Sequence, residues 1–139
     1  MSVMEHRKDL IEERFRRRIA SYDDAAVVQR GMAQTLIEQL AHALNSRTCG
    51  KTLELGCGTG TLTRALLKSF ELERLITNDL TAAYDERIRK ITTAFNITQY
   101  EFLPGDMEQL ELPRGMDLVV SNAAFQWLSN PGAFLRKVI

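Results

Sequence analysis

The stretch Thr52-Leu53-Glu54-Leu55-Gly56-Cys57-Gly58-Thr59-Gly60 constrains this chain more than any other. An apolar run carries one carboxylate, glycines then recur at alternate positions, and Thr61 opens a segment of helical apolar spacing. That order spells a strand, a tight turn and a helix. Glycine accepts positive φ and has no Cβ, so a ligand can rest directly on such a turn. A helix from about Thr61 to Phe70 would aim its N-terminal N–H groups at that ligand. Glu54, where the strand enters the turn, would face a cationic or hydroxylated group. Cys57 reads as a small filler of the turn, not a nucleophile.

Strand and helix keep alternating downstream. Arg74-Leu75-Ile76-Thr77-Asn78-Asp79 reads as a second strand, and residues Ala83 to Phe95 as a helix anchored by Ile88, Ile91 and Ala94. Tyr100-Glu101-Phe102-Leu103 is a third strand closed by Pro104-Gly105-Asp106, and Met116 to Asn122 a fourth. Asn130-Pro131 opens a last helix with Asn as N-cap and Pro in the first turn. Alternation of this kind predicts a parallel sheet with right-handed crossovers and helices on both faces. Two helical segments come first. One spans about Glu5 to Ala20, with Leu10, Ile11, Phe15 and Ile19 as its stripe. The other ends near Leu44, with Val28, Met32, Leu36, Ile37, Leu40 and Leu44 facing inward. We divide the chain into 1–48, the N-terminal helices, and 49–139, the Rossmann-like half.

Open parallel sheets bind ligands at the carboxyl ends of their strands. Four such ends carry Glu54, Asp79, Asp106 and Asn122, a polar row beside the glycine turn. A dinucleotide turn of the Gly-x-Gly-x-x-Gly kind would need glycine where Thr61 stands, and no Gly-Lys-Ser/Thr of a phosphate loop is present. The pattern acid-x-Gly-x-Gly-x-Gly instead resembles the first motif of class I S-adenosylmethionine-dependent methyltransferases. Asp79 alone would also suit a NAD-linked protein, which fits Glu54 and the displaced glycine poorly.

With S-adenosylmethionine as the ligand, each polar residue has a role. Asp79 suits the ribose hydroxyls. Asp106 can accept from the adenine amino group, the Met107 backbone N–H meets a ring nitrogen, and Leu80 and Met107 offer apolar faces to the ring. The Gly56, Cys57, Gly58 and Gly60 backbone meets the methionine portion, with Glu54 near its ammonium and Asn122 closing the far side. No metal is expected, since no Cys/His cluster has ligand spacing.

The stretch Asp117-Leu118-Val119-Val120-Ser121-Asn122-Ala123-Ala124-Phe125-Gln126-Trp127-Leu128 is similar to the segment after strand four in malonyl-acyl-carrier-protein O-methyltransferases of biotin synthesis. Trans-aconitate methyltransferases share its Asn-Ala-x-x-Gln-Trp pattern. Tyr22-Asp23-x-x-Ala26-x-x-Gln29 resembles the biotin enzymes more. The resemblance implies methylation of a free carboxylate, which is already ionised at neutral pH and needs no general base. Tyr22, Gln126 and Trp127 are then expected to wall the methyl-transfer pocket. It also implies an acidic acyl carrier protein as partner, for which Arg14, Arg16, Arg17 and Arg18 form a candidate docking patch. Other carboxylate or quinone-precursor methyltransferases, or a non-catalytic cofactor-binding fragment, remain as alternatives.

The resemblance further implies a seven-stranded sheet ordered 3-2-1-4-5-7-6. This chain is therefore expected to be truncated after the fourth strand, to be inactive alone, and either to be marginally stable or to associate as a dimer through that exposed strand. Lys and Arg total 18 against 18 Asp and Glu, so no general attraction for nucleic acid is implied. A charged N-terminus, the lack of a long apolar run and two cysteines fit a soluble cytoplasmic chain.

Overall fold

A computed structural model describes residues 3–18, 23–122 and 128–138, with side chains described at 7–14, 26–122 and 128–138. Its elements run α1 (Val3–Arg18), α2 (Asp23–Leu44), β1 (Thr48–Leu55), α3 (Thr61–Ser69), β2 (Glu71–Asp79), α4 (Tyr84–Ala94), β3 (Tyr100–Pro104), β4 (Leu118–Ser121) and α5 (Pro131–Val138). The strands form one parallel sheet in the order β3-β2-β1-β4, the order the resemblance implies.

β1 is interior, flanked by β2 and β4, and Thr52 to Leu55 are all buried. A strand covered on both faces must be apolar on both or pair its polar atoms. Strand alternation then sorts the side chains. Leu53 and Leu55 join Ile76, Leu112 and Phe134 in the layer beneath α5. On the other face Ala33, Ile37, Leu62, Leu66 and Phe70 join α2 and α3, and Leu67, Leu75, Ile88 and Ile91 seat α4. Near its start β1 bulges at Gly50, whose φ is +64°. There Asp117 accepts the Lys51 N–H at 2.8 Å and fixes where β4 begins.

The inward face of α2 differs from the expected stripe. Ala26, Ala33 and Ile37 are buried, with Leu36 and Leu40 packed beside them, whereas Val27, Val28, Met32 and Leu44 are exposed. α2 is apolar on more than one stripe, and the small residues are those that allow close approach to α3. In α1, Ile11 is buried and Leu10 is exposed; Phe15 and Ile19 lie outside the described side chains. Ala94 is exposed, and Tyr84 and Thr92 complete the buried face of α4. Among the described residues no helix is long and apolar enough to cross a membrane.

Candidate functional site

The turn after β1 is held open by three glycines with left-handed backbone, at φ of +68° for Gly56, +53° for Gly58 and +91° for Gly60. Two of them serve different ends. A Cβ on Gly60 would meet Ile91 Cδ1 at 2.4 Å, so this glycine lets α4 pack under the turn. A Cβ on Gly58 would meet no atom within 4 Å, so its outer side is free for a ligand. Below, the buried Cys57 donates its N–H to the Asn78 carbonyl at 2.9 Å, and burial among Glu54 and Asp79 holds its thiol protonated. Gly60 is the residue preceding α3, and its carbonyl accepts from the Arg64 N–H at 2.8 Å.

Asp79 stands beside this turn at the end of β2. One carboxylate oxygen accepts the Gly58 N–H at 2.9 Å and the other the Thr81 N–H at 3.1 Å. A carboxylate offers about four acceptor sites, so Asp79 keeps capacity for a hydroxylated ligand. Burial raises its pKa; the N–H groups of Thr81, Gly58 and Leu80 oppose that, and Glu12 of α1 adds to it. Leu80 is half-buried on the following bend.

Register decides which residues form the row at the sheet's edge. Leu55 pairs with Asn78 and with Ser121, and Asp79 pairs with Pro104. The next row therefore runs from Asn122, half-buried just past β4, through Gly56 to Asp79. Glu54 is two rows back, opposite Thr77 and Val120. Its side chain points to the α3 face, is 1% exposed, and accepts from Thr63 Oγ1 at 2.5 Å. Glu54 thus underlies the turn and does not stand at the tip of its strand. Burial pushes its carboxyl up to about 8 despite Thr63, and the Asp79 charge adds to the rise.

Asp106 follows β3 in a turn that α1 covers. Lys8 of α1 sets its ammonium 2.5 Å from Asp106 Oδ2 and 2.7 Å from Glu108. The other Asp106 oxygen accepts the Glu108 N–H at 2.9 Å. Glu108 also accepts the N–H groups of Ser129 and Asn130, before α5. Burial works to raise the Glu108 pKa, but Lys8 and those two N–H groups outweigh it and hold it at about 2. Met107 packs its side chain onto the Leu112 and Phe134 layer. Asn78, 1% exposed, donates to the carbonyls of Leu103 and Gly105 at 2.9 and 3.0 Å and so fixes the path of the Asp106 turn.

Sequence reasoning missed Lys8, Thr63, Asn78 and Glu108. The Thr81 and Glu108 N–H contacts had a local signal, because Asp commonly accepts from the N–H two residues on. Tyr22, Gln126 and Trp127 lie outside the described residues, as do the side chains of Arg16, Arg17 and Arg18; Arg14 is exposed. Among the described residues no cluster of three His, Cys, Asp or Glu could hold a metal.

A left-handed glycine turn between a central strand and its helix, flanked by a buried carboxylate on the next strand, defines an α/β domain of the nucleoside-cofactor-binding class. The chain belongs to the methyltransferase domain family, whose model matches residues 52–139. A malonyl-[acyl-carrier protein] O-methyltransferase of Chlorobium phaeovibrioides is 43% identical over 124 residues, covering 88% of this chain and 48% of that protein. One from Chlorobium luteolum is 41% identical over 132 residues, covering 94% and 50%. This chain thus spans about half the length of these curated relatives. Among solved structures, Haemonchus contortus phosphoethanolamine N-methyltransferase 1, in complex with phosphoethanolamine and S-adenosylhomocysteine, superposes with a TM-score of 0.67 at 16% identity. The match covers 92% of this chain and 28% of that one, and shows the shared fold.

Proposed function

We propose that this chain binds S-adenosylmethionine and belongs to an enzyme that methylates the free carboxylate of a malonyl group carried on an acyl carrier protein. The open outer side of Gly58 beside the Asp79 carboxylate carries this reading. A Cβ on Gly58 would meet no atom within 4 Å, and Asp79, anchored by the Gly58 and Thr81 N–H groups, keeps acceptor capacity. Relatives at 43% and 41% identity bear the malonyl-carrier name.

In this reading the bound group supplies an electrophilic methyl on a sulfonium. Asp79 holds the ribose hydroxyls, and the Gly56–Gly60 backbone receives the methionine portion. Glu54, with its carboxyl raised by burial to about 8, braces the turn from beneath through its hydrogen bond from Thr63. Asp106 and the Met107 N–H address the adenine edge, with Leu80 against the ring and Asn122 closing the row. Tyr22, Gln126 and Trp127 wall the acceptor pocket. A carboxylate acceptor arrives ionised, so these residues position it and exclude water, and no side chain is needed as base.

Calorimetric titration with S-adenosylmethionine and, separately, NAD tests the ligand. Saturable binding of the first alone is expected; binding of NAD alone refutes the reading. In the protein that carries this chain, replacing Tyr22 or Trp127 lowers turnover more than cofactor affinity. Equal losses would make them cofactor or structural residues.

A further inference from the structure

We propose that a cationic cleft between α2, α3 and α4 docks the acidic surface of the acyl carrier protein. The inference rests on the carrier-linked substrate argued above and names where that partner binds. The cleft encloses about 400 Å³. Arg30 enters from α2, Arg64 and Lys68 from successive turns of α3, and Arg87 from α4. Among the described residues no Asp or Glu lines it, and all four cations are exposed. Several other surface cations are paired, Arg74 with Glu101, Arg89 with Asp85 and Lys90 with Glu86. The cationic side chains of these four have no hydrogen-bond or ion-pair partner among the described residues.

Such segregation is pronounced in a chain whose formal charge is zero. Like charges within about a Debye length, roughly 8–10 Å, repel one another, and an anionic partner relieves that repulsion. One end of the cleft is lined by Thr59 and Thr61, on either side of Gly60. A carrier seated there would stand beside the glycine turn, where its cargo is needed. Arg47 borders the cleft, donating to the Ser69 carbonyl at 3.3 Å, and the carrier-linked substrate argued above favours a protein partner over a nucleic acid. The described lining of the cleft comes from α2, α3 and α4 and from the turn itself.

The test titrates purified malonyl-loaded acyl carrier protein into the protein, in about 50 mM and about 300 mM salt. Wild type is compared with Arg64→Glu/Lys68→Glu and Arg30→Glu/Arg87→Glu, each also titrated with S-adenosylmethionine. We expect carrier affinity to fall at least tenfold in each double variant, its salt dependence to shrink, and cofactor affinity to stay within twofold. Glutamine variants at the same positions carry the test should a reversed variant not fold. Carrier affinity unchanged by the substitutions, or no carrier binding by wild type, overturns the docking proposal and leaves the cofactor reading standing. Tighter binding of a single-stranded RNA than of the carrier, lost in the same variants, overturns it in favour of nucleic acid. Loss of carrier affinity on reversal in a protein that takes no S-adenosylmethionine supports the cleft and refutes the cofactor reading.

Discussion

Replacing Glu54 with glutamine should remove most of the chain's loss of stability between mildly acidic and neutral pH. Folding buries this carboxyl and moves it from 4.5 to about 8. The folded chain therefore keeps a proton that the unfolded chain has released anywhere between those values. Stability is fully present below about 4.5 and is lost as pH rises through about 8. The difference of about 3.5, at roughly 1.4 kcal/mol per pH unit, is on the order of 5 kcal/mol across the whole window. Between pH 5.5 and 7.5 it amounts to roughly 2–3 kcal/mol. Glu54→Gln keeps an acceptor for Thr63 and carries no proton to lose. Asp79, also raised, contributes the same sign in both proteins and cancels in the comparison. Urea unfolding followed by circular dichroism at the two pH values should show the wild type losing those 2–3 kcal/mol and the variant losing far less. Equal losses in the two proteins would refute the placement of a buried, proton-holding Glu54 under the turn.

Four other substitutions probe the site. Asp79→Ala should weaken S-adenosylmethionine binding by about 1.5–3 kcal/mol, read by calorimetry, and unchanged affinity would remove Asp79 from the ribose role. Gly60→Ala forces a Cβ to 2.4 Å from Ile91 Cδ1 at φ +91°, and should cost about 1–3 kcal/mol in a thermal melt. Gly58→Ala meets no atom and should cost less stability but more cofactor affinity; the reverse ranking would contradict the division of labour between the two glycines. Lys8→Met should speed amide exchange in α1 while leaving β1 protected. The Glu108 end of that tie is present above about 4.5 and lost only as pH falls through about 2, so wild-type α1 should stay docked at pH 4. Equal exchange in both proteins would mean α1 is held by Ile11 and its apolar neighbours alone.

Local pattern carried the glycine turn, Asp79, the Asn130 cap and the strand boundaries to within a few residues, because each depends on neighbours a few positions away. Asn130 indeed accepts the Ala133 N–H at 3.0 Å. What local pattern could not carry was choice among equivalent faces. Val28 and Ala33 both fit an apolar stripe on α2, and only the closeness of α3 decides that the small residue goes in. The inward turn of Glu54 was legible and overlooked, since it alternates with Leu53 and Leu55 and must face the opposite side from them. Lys8 with Asp106, and Asn78 with the carbonyls beyond β3, pair residues whose separation leaves no periodic trace.

Lys8 and Asp106 are 98 positions apart. At roughly 5–20 residues per second of synthesis, α1 leaves the ribosome about 5–20 s before its acidic partner exists. Meanwhile Ile11, buried in the finished fold, has nothing to pack against but other parts of a nascent chain. Joining ends that far apart costs more loop entropy than pairing β1 with β2, which are linked through α3 alone. Pairing β1 with β2, which brings the glycine turn and the Asp79 carboxylate together, is the more local closure. The helix that crosses the Asp106 side of them is made before them and must close the longer loop.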